Sequence, residues 1–369
     1  MEIRVGKYNL TNILAGPPKL TDQLEAVCRT LDFTLCSPAD LPELYGSPVE
    51  LWYRGGRWFF GFLFVQEADS SGQVTCKAYD PLYYMKKAPD DYYFKGMTAS
   101  QGLRALAERT AIVAGSIADT GAVLDQLYYA GKTPDKIAID LLARSYRKNG
   151  RKFWFRFNPE DDPKKFGLEV FERVRPQKAW AFQYGVNLTR AAAKGTIEET
   201  TPVVRFLNRE TGKQTLLVDA EAMKSYGHMI RFREVNKNDA TAMAAEAKDL
   251  FEQVKVPRRE QSIEGINPEG RMPMFRSGDL VYAEEKRTRL CGGYYIKNVV
   301  QTFHSERVVG LAMDLVLELG IPPVQYEDQA GDQKKIEATP PAEGGLSANE
   351  QYRAAMESLL KKYESGKDN

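Results

Sequence analysis

Four adjacent acidic pairs, Asp90-Asp91, Asp161-Asp162, Glu198-Glu199 and Glu284-Glu285, carry the clearest chemical potential, each in a polar stretch that reads as a turn. A glycosidase draws its two carboxyl groups from such loops, one to protonate the leaving oxygen and one to attack or activate water. Neighbouring acids in a turn also serve simply as solvated surface. His228, in Ser225-Tyr226-Gly227-His228, and His304, at the tip of a predicted hairpin, have no nucleophile or carboxylate placed beside them by motif. Cys28, Cys36, Cys76 and Cys291 are scattered without a C-x-x-C pair, so neither a zinc site nor a disulfide framework is expected. Cys76 reads as a small buried strand residue. The basic cluster Arg144, Arg147, Lys148, Arg151 and Lys152 could meet phosphates, but it also suits the wet C-terminal end of a helix. G-x-S-x-G, P-loop and H-E-x-x-H motifs are absent. No catalytic, metal-binding or cofactor-binding residue is assigned, and no cofactor is expected.

The elements that would position these residues are mostly strands. Val49 to Tyr53, the turn Arg54-Gly55-Gly56-Arg57, the return strand Trp58 to Val65, the turn Ala68 to Gly72 and the alternating Val74 to Tyr79 make a β meander. Gly278 to Leu317 repeats the plan, with strands at Leu280 to Ala283, Tyr294 to Phe303 and Val308 to Leu317. Upstream, Tyr8 to Thr11 and the strand Thr30 to Cys36 are matched to Val186 to Thr189 and the strand Val203 to Leu207, which predicts two β domains of one design. Lys19 to Glu25 reads as a polar loop reaching outward, and Glu264 to Pro273 as a Gly/Pro-rich loop. Trp52, Tyr53, Trp58 and Phe59 could stack on sugar, although alternate strand positions must bury one face.

Between the copies the period becomes helical. Thr98 to Gln101 fits a capping box before Leu103, Leu106, Ala107 and Thr110, and Thr133-Pro134 starts a helix with Ile137, Ala138, Leu141 and Leu142 on one face. Strands at Lys152 to Phe157 and Gly167 to Val174 close this module. The expected fold is α+β and mainly β: two tube-like antiparallel β-barrel domains, residues 1–86 and 179–322, flanking a small α+β module, residues 87–178. A helix is expected within the second barrel at residues 239–254, carrying Met243, Ala247, Leu250, Phe251 and Val254 on one face. A flexible linker, residues 323–346, leads to an amphipathic helix, residues 347–365. Tyr352, Met356, Leu359, Leu360 and Tyr363 form its candidate partner-docking face, the plainer alternative being a frayed terminus.

The 369 residues suffice for two or three domains, and 51 basic against 50 acidic side chains demand neither nucleic acid nor an anionic membrane as main partner. MEIRVGKYNL has no apolar signal core and no apolar run spans a bilayer, so synthesis in the cytosol and no membrane contact are expected.

Val74 to Asp80 running into Pro81-Leu82-Tyr83-Tyr84, Tyr92 to Ser100, Gly115 to Gly121, Lys132-Thr133-Pro134 and Lys152 to Phe157 together resemble the XkdQ/YqbQ family of PBSX-type phage tail proteins, with the likeness ending at Val316. Members of that family are similar to late-control D-type baseplate hub proteins. The resemblance implies a non-enzymatic, structural hub of a contractile tail or phage-like particle, found in the virion. It would be a homotrimer whose six similar β domains form a pseudo-six-fold ring, a tube initiator that meets a hexameric tube on one face and a trimeric spike on the other. Implied partners are the tail tube protein, the trimeric spike protein, other baseplate proteins including a LysM-containing hub-associated protein, and the C-terminus of the tape-measure protein. Nucleic acid would pass only through the lumen, in a true phage. The alternatives are a tail-associated cell-wall hydrolase or a cell-surface sugar-binding module.

Overall fold

The computed structural model describes residues 1–317, apart from 37–40, 174–175, 177–178, 210, 235–243, 245–246, 249, 253, 269–272 and 306. The expected linker, residues 323–346, and terminal helix, with Tyr352, Met356, Leu359, Leu360 and Tyr363, lie outside the described residues, as does Met243.

The first β unit contains β1 (Glu2–Val5), β2 (Tyr8–Asn9), β3 (Lys19–Gln23), β4 (Thr30–Cys36), β5 (Pro48–Tyr53), β6 (Gly56–Ala68) and β7 (Gln73–Tyr79). Local chemistry sets its turns. Arg54 and Gly55 both adopt left-handed backbone, φ 51° and 77°, the pair of angles that a two-residue hairpin matched to strand twist requires. At the next turn the Asp69 carboxylate accepts from the Ser71 and Gln73 amides at 2.8 and 3.2 Å.

The middle module holds β8 (Asp90–Phe94), α1 (Ala99–Arg109), β9 (Ala114–Ile117), β10 (Leu127–Lys132), α2 (Pro134–Asn149), β11 (Phe153–Asn158) and β12 (Gly167–Glu172). The capping box forms: the Gln101 amide donates to Thr98 Oγ1, and Gln101 Oε1 accepts from the Thr98 amide at 2.8 Å. A Cβ on Gly102 would stand 2.7 Å from Leu141 Cδ1, so glycine is what lets α1 lie against α2. Leu103, Leu106, Ile137, Ala138 and Leu141 fill the shared core with Phe155, Phe157 and Val170 from the sheet.

The second β unit opens with β13 (Trp180–Gln183) and β14 (Leu188–Thr196). An insertion follows, comprising β15 (Val203–Leu207), β16 (Gln214–Val218), α3 (Ala220–Tyr226), β17 (Ile230–Glu234) and helical residues Ala244, Ala247, Lys248, Leu250 to Glu252 and Val254. Ala247, Leu250, Phe251 and Val254 pack on Val204, Phe206 and Leu217. The unit then resumes with β18 (Arg258–Pro268), β19 (Leu280–Glu285), β20 (Leu290–Phe303) and β21 (Val308–Val316).

The fold is thus α+β and mainly β, with antiparallel pairing dominant. The two β units run as β3-β4-β7-β6-β5-β1 and β14-β18-β21-β20-β19-β13, the same order of equivalent strands. They differ at the end, where β1 meets β5 antiparallel but β13 meets β19 parallel. Three sequence expectations change. The partner of β4 in the repeat is β18, while Val203–Leu207 belongs to the inserted sheet β16-β15-β17. Glu264 to Pro268 are strand rather than loop, hydrogen-bonded between β14 and β21. The supposed outward loop at Lys19 is β3, which lies inside the sheet between β20 and β4.

Candidate assembly interface

β20 is paired along part of its length with β19, and beyond that, on the same side, with β3 of the other unit, in the register Asn298 to Gln23 through Thr302 to Lys19. This joint fuses both units into one 13-stranded sheet over one core that includes Leu20, Leu31, Phe59, Ile296, Val299 and Phe303. Tyr53 and Trp58 of the first unit enclose Phe303 of the second, with edge-to-face rings 5.3 and 5.6 Å apart.

Asp22 of β3 explains that strand's polarity. Its carboxylate accepts from Arg276 Nε at 2.6 Å and from Ser277 Oγ at 2.6 Å, and all three side chains are buried. Burial raises the Asp22 pKa, but the charges of Arg276 and Arg29 and the Ser277 hydrogen bond outweigh it, and the net direction is down. Arg276 also donates to the Phe157 carbonyl of β11 at 3.2 Å, so one guanidinium ties both β units to the middle module. A second buried pair lies close by. The Arg29 amide donates to Asp80 at 2.9 Å, and Arg29 Nη1 donates to the Trp58 carbonyl at 3.0 Å. Burial dominates there, raising Asp80 to about 6 and lowering Arg29 to about 9. Gln301 closes the joint by exchanging hydrogen bonds with the backbone of Phe275, at 3.1 and 3.4 Å. A strand rich in charge is stable inside a sheet when each polar group finds its partner, and these partners are distant in sequence.

The candidate chemical residues fall on separate elements. Asp90 pairs with Arg109, Asp91 accepts from Gly131 N at 2.7 Å, Asp161 lies 3.3 Å from Arg57, and Asp162 caps its own turn. Glu198 bonds to Thr196, Glu199 lies 3.2 Å from Arg231, and Glu285 holds the turn through Arg287 and Thr288. His228 and His304 are exposed between elements. Cys28 and Cys76 are buried thiols pushed up by burial to about 12 and 11, while Cys36 and Cys291 are exposed. The basic cluster is taken up locally: Arg144 by Asp140, Lys148 by Asp125, and Arg151 by Glu172. Of the aromatic quartet, Tyr53 and Phe59 are buried, Trp58 stacks at the joint, and Trp52 bonds to Glu50 beneath Arg57. Among the described residues no cluster of His, Cys, Asp and Glu could hold a metal, and no helix is long and apolar enough to cross a membrane.

The family model described as YQBQ-like matches residues 19–318 of this sequence, from β3 through β21. The chain belongs to the YQBQ-like family. It is similar to the phage-like element PBSX protein XkdQ of Bacillus subtilis, 25% identical over 243 residues that cover 64% of this chain and 71% of the relative. Among solved structures it is similar to the 43 kDa tail protein of prophage MuSo2 from Shewanella oneidensis, with TM-score 0.65 and 12% identity over 85% of this chain and 97% of that one. A further likeness is to the E. coli c3393 protein, a type VI secretion component with structural similarity to the T4 tail proteins gp27 and gp5. There the TM-score is 0.53 and the identity 10%, over 88% of this chain and 78% of that one. The fold of this family member is that of phage tail proteins.

Proposed function

We propose that this chain is a structural hub of the baseplate in a contractile phage tail or phage-like particle, built as a homotrimeric ring that joins the tail tube to the central spike. Residues 1–86 and 179–322 act as the two tube-like domains, with residues 87–178 as the module between them. One observation carries the reading: the two β units are already joined edge to edge through β20 and β3, and this leaves the equivalent edges, on β6 and β14, without a strand among the described residues. A unit that joins its own repeat in this way is built to be joined again. With two units per chain, three chains supply six, which meets a six-fold tube and a three-fold spike with one polypeptide. The likeness to XkdQ, a protein of the phage-like element PBSX, and to the tail protein of prophage MuSo2 supports a place in a phage-type particle. The role is assembly without turnover, a reading supported by acidic pairs that are spread over separate elements, with Asp90, Asp161, Glu199 and Glu285 engaged by local partners. The tube protein and a trimeric spike are the direct partners, other baseplate proteins surround the ring, and 347–365 is left as a docking segment.

Light scattering tests the reading on the purified full chain, alone and mixed with its spike protein over a range of concentrations. A threefold mass in either sample is expected. A strict monomer in both would overturn the ring.

A further inference from the structure

The two β units correspond residue by residue at their edges. Antiparallel register shifts between Leu63 and Val65 where β6 meets β7, and between Ile296 and Asn298 where β20 meets β21. Beside each irregularity the same backbone clasp forms. Gly46 N donates to Leu63 O at 2.8 Å and Leu63 N to Ser47 O at 3.0 Å; Gly278 N donates to Ile296 O at 2.8 Å and Ile296 N to Asp279 O at 2.9 Å. Both glycines are left-handed, φ +73° and +88°. Leu63 is therefore the counterpart of Ile296. Reading straight across the strands gives the row Leu63, Ala78, Leu31, Leu20 in one unit and Ile296, Leu315, Gln261, Ala193 in the other. Hence Val65, Gln66, Glu67 and Ala68 stand for Asn298, Val299, Val300 and Gln301, while Ala193, Lys194, Gly195 and Thr196 stand for Leu20, Thr21, Asp22 and Gln23.

On the reading that copies of this chain form a ring, we propose the residue register of the joint between them. β14 of a second copy lies antiparallel on the outer edge of β6, with Val65 opposite Thr196, Gln66 opposite Gly195, Glu67 opposite Lys194 and Ala68 opposite Ala193. This is the register of the in-chain joint, transferred. Two side-chain substitutions between the joints fit it. Thr21 opposite Val300 becomes Lys194 opposite Glu67, exposed opposite charges on one face, an attractive cross-strand pair. Asp22, which fills its surroundings by binding Arg276 and Ser277, becomes Gly195, where a Cβ would meet nothing within 4 Å. The counterpart of Ser277 is Tyr45, 54% exposed, with its hydroxyl donating to the Gln66 carbonyl at 2.9 Å. The bare backbone at Gly195 leaves room for that ring. Pairing also covers two strand edges that would otherwise recruit other chains.

The test uses the full chain with the exposed thiols removed, Cys36→Ser and Cys291→Ser. Glu67→Cys is combined with Lys194→Cys, or with Arg190→Cys, which lies on the same face four residues out of register. β6 and β14 are seven strand positions apart along the sheet and do not pair within one chain, and gel mobility under denaturing, non-reducing conditions separates a disulfide between copies from one within a chain. Oxidation is expected to give covalent multimers from the first pair and not the second. Glu67→Lys should weaken association about fivefold per joint at low salt, and Glu67→Lys with Lys194→Glu should restore it. Multimers by light scattering without a disulfide in the chain carrying Glu67→Cys and Lys194→Cys, or without rescue by the charge exchange, would overturn the register and leave the ring standing. A monomer alone and with the spike protein would overturn both.

Discussion

Replacing Asp22 by alanine should damage the union of the two β units more than any surface change. The substitution removes two hydrogen bonds of 2.6 Å and leaves the Arg276 guanidinium buried, with the Phe157 carbonyl at 3.2 Å as its remaining hydrogen-bond partner among the described residues and the cation Arg29 nearby. Breaking a buried pair from one side costs about 3–5 kcal/mol. Asp22→Ala with Arg276→Met removes the stranded charge, and the pair should recover about 1.5–3 kcal/mol relative to the sum of the single changes. Urea unfolding followed by tryptophan emission is a suitable assay, because Trp58 packs against Phe303 across the joint and reports its opening. A loss below about 1 kcal/mol for Asp22→Ala, or no coupling in the cycle, would refute the view that this ion pair holds the units together.

Two further outcomes follow from other sites. Asp80 titrates near 6 in the folded chain, above the roughly 3.9 of an unfolded aspartate, so its contribution to stability is full below about 4 and is lost as pH rises through about 6. Unfolding midpoints measured from pH 4 to 7 should therefore fall less steeply in Asp80→Asn than in the parent, and identical slopes would contradict the assignment. Gly61→Ala places a Cβ 2.2 Å from the Tyr79 carbonyl oxygen, where β6 crosses β7, and should destabilise by about 2 kcal/mol or more in denaturant titration. An unchanged midpoint would mean that the strands part there without strain.

What the sequence determined by itself was local. The hairpin at Arg54-Gly55, the box at Thr98 and Gln101, and the alternation of Val74 to Tyr79 are written in residues next to one another, because turns, caps and half-buried strands depend on near neighbours. The repeat was visible for the same reason, through its meanders. β3 and β18 were not legible, since Lys19–Gln23 and Arg258–Pro268 lack an apolar rhythm: β3 is satisfied by Arg276 and Ser277 some 254 and 255 residues away, and β18 by backbone pairing on both sides. Val203–Leu207 was misplaced in the repeat because its β-prone residues fit any sheet, and only the paths of β16 and β17 decide which one. The edge-to-edge joint was likewise a tertiary decision. Strand edges are backbone, alike in every residue, so which edge meets which is fixed by packing and by the few buried charges that one partner can neutralise.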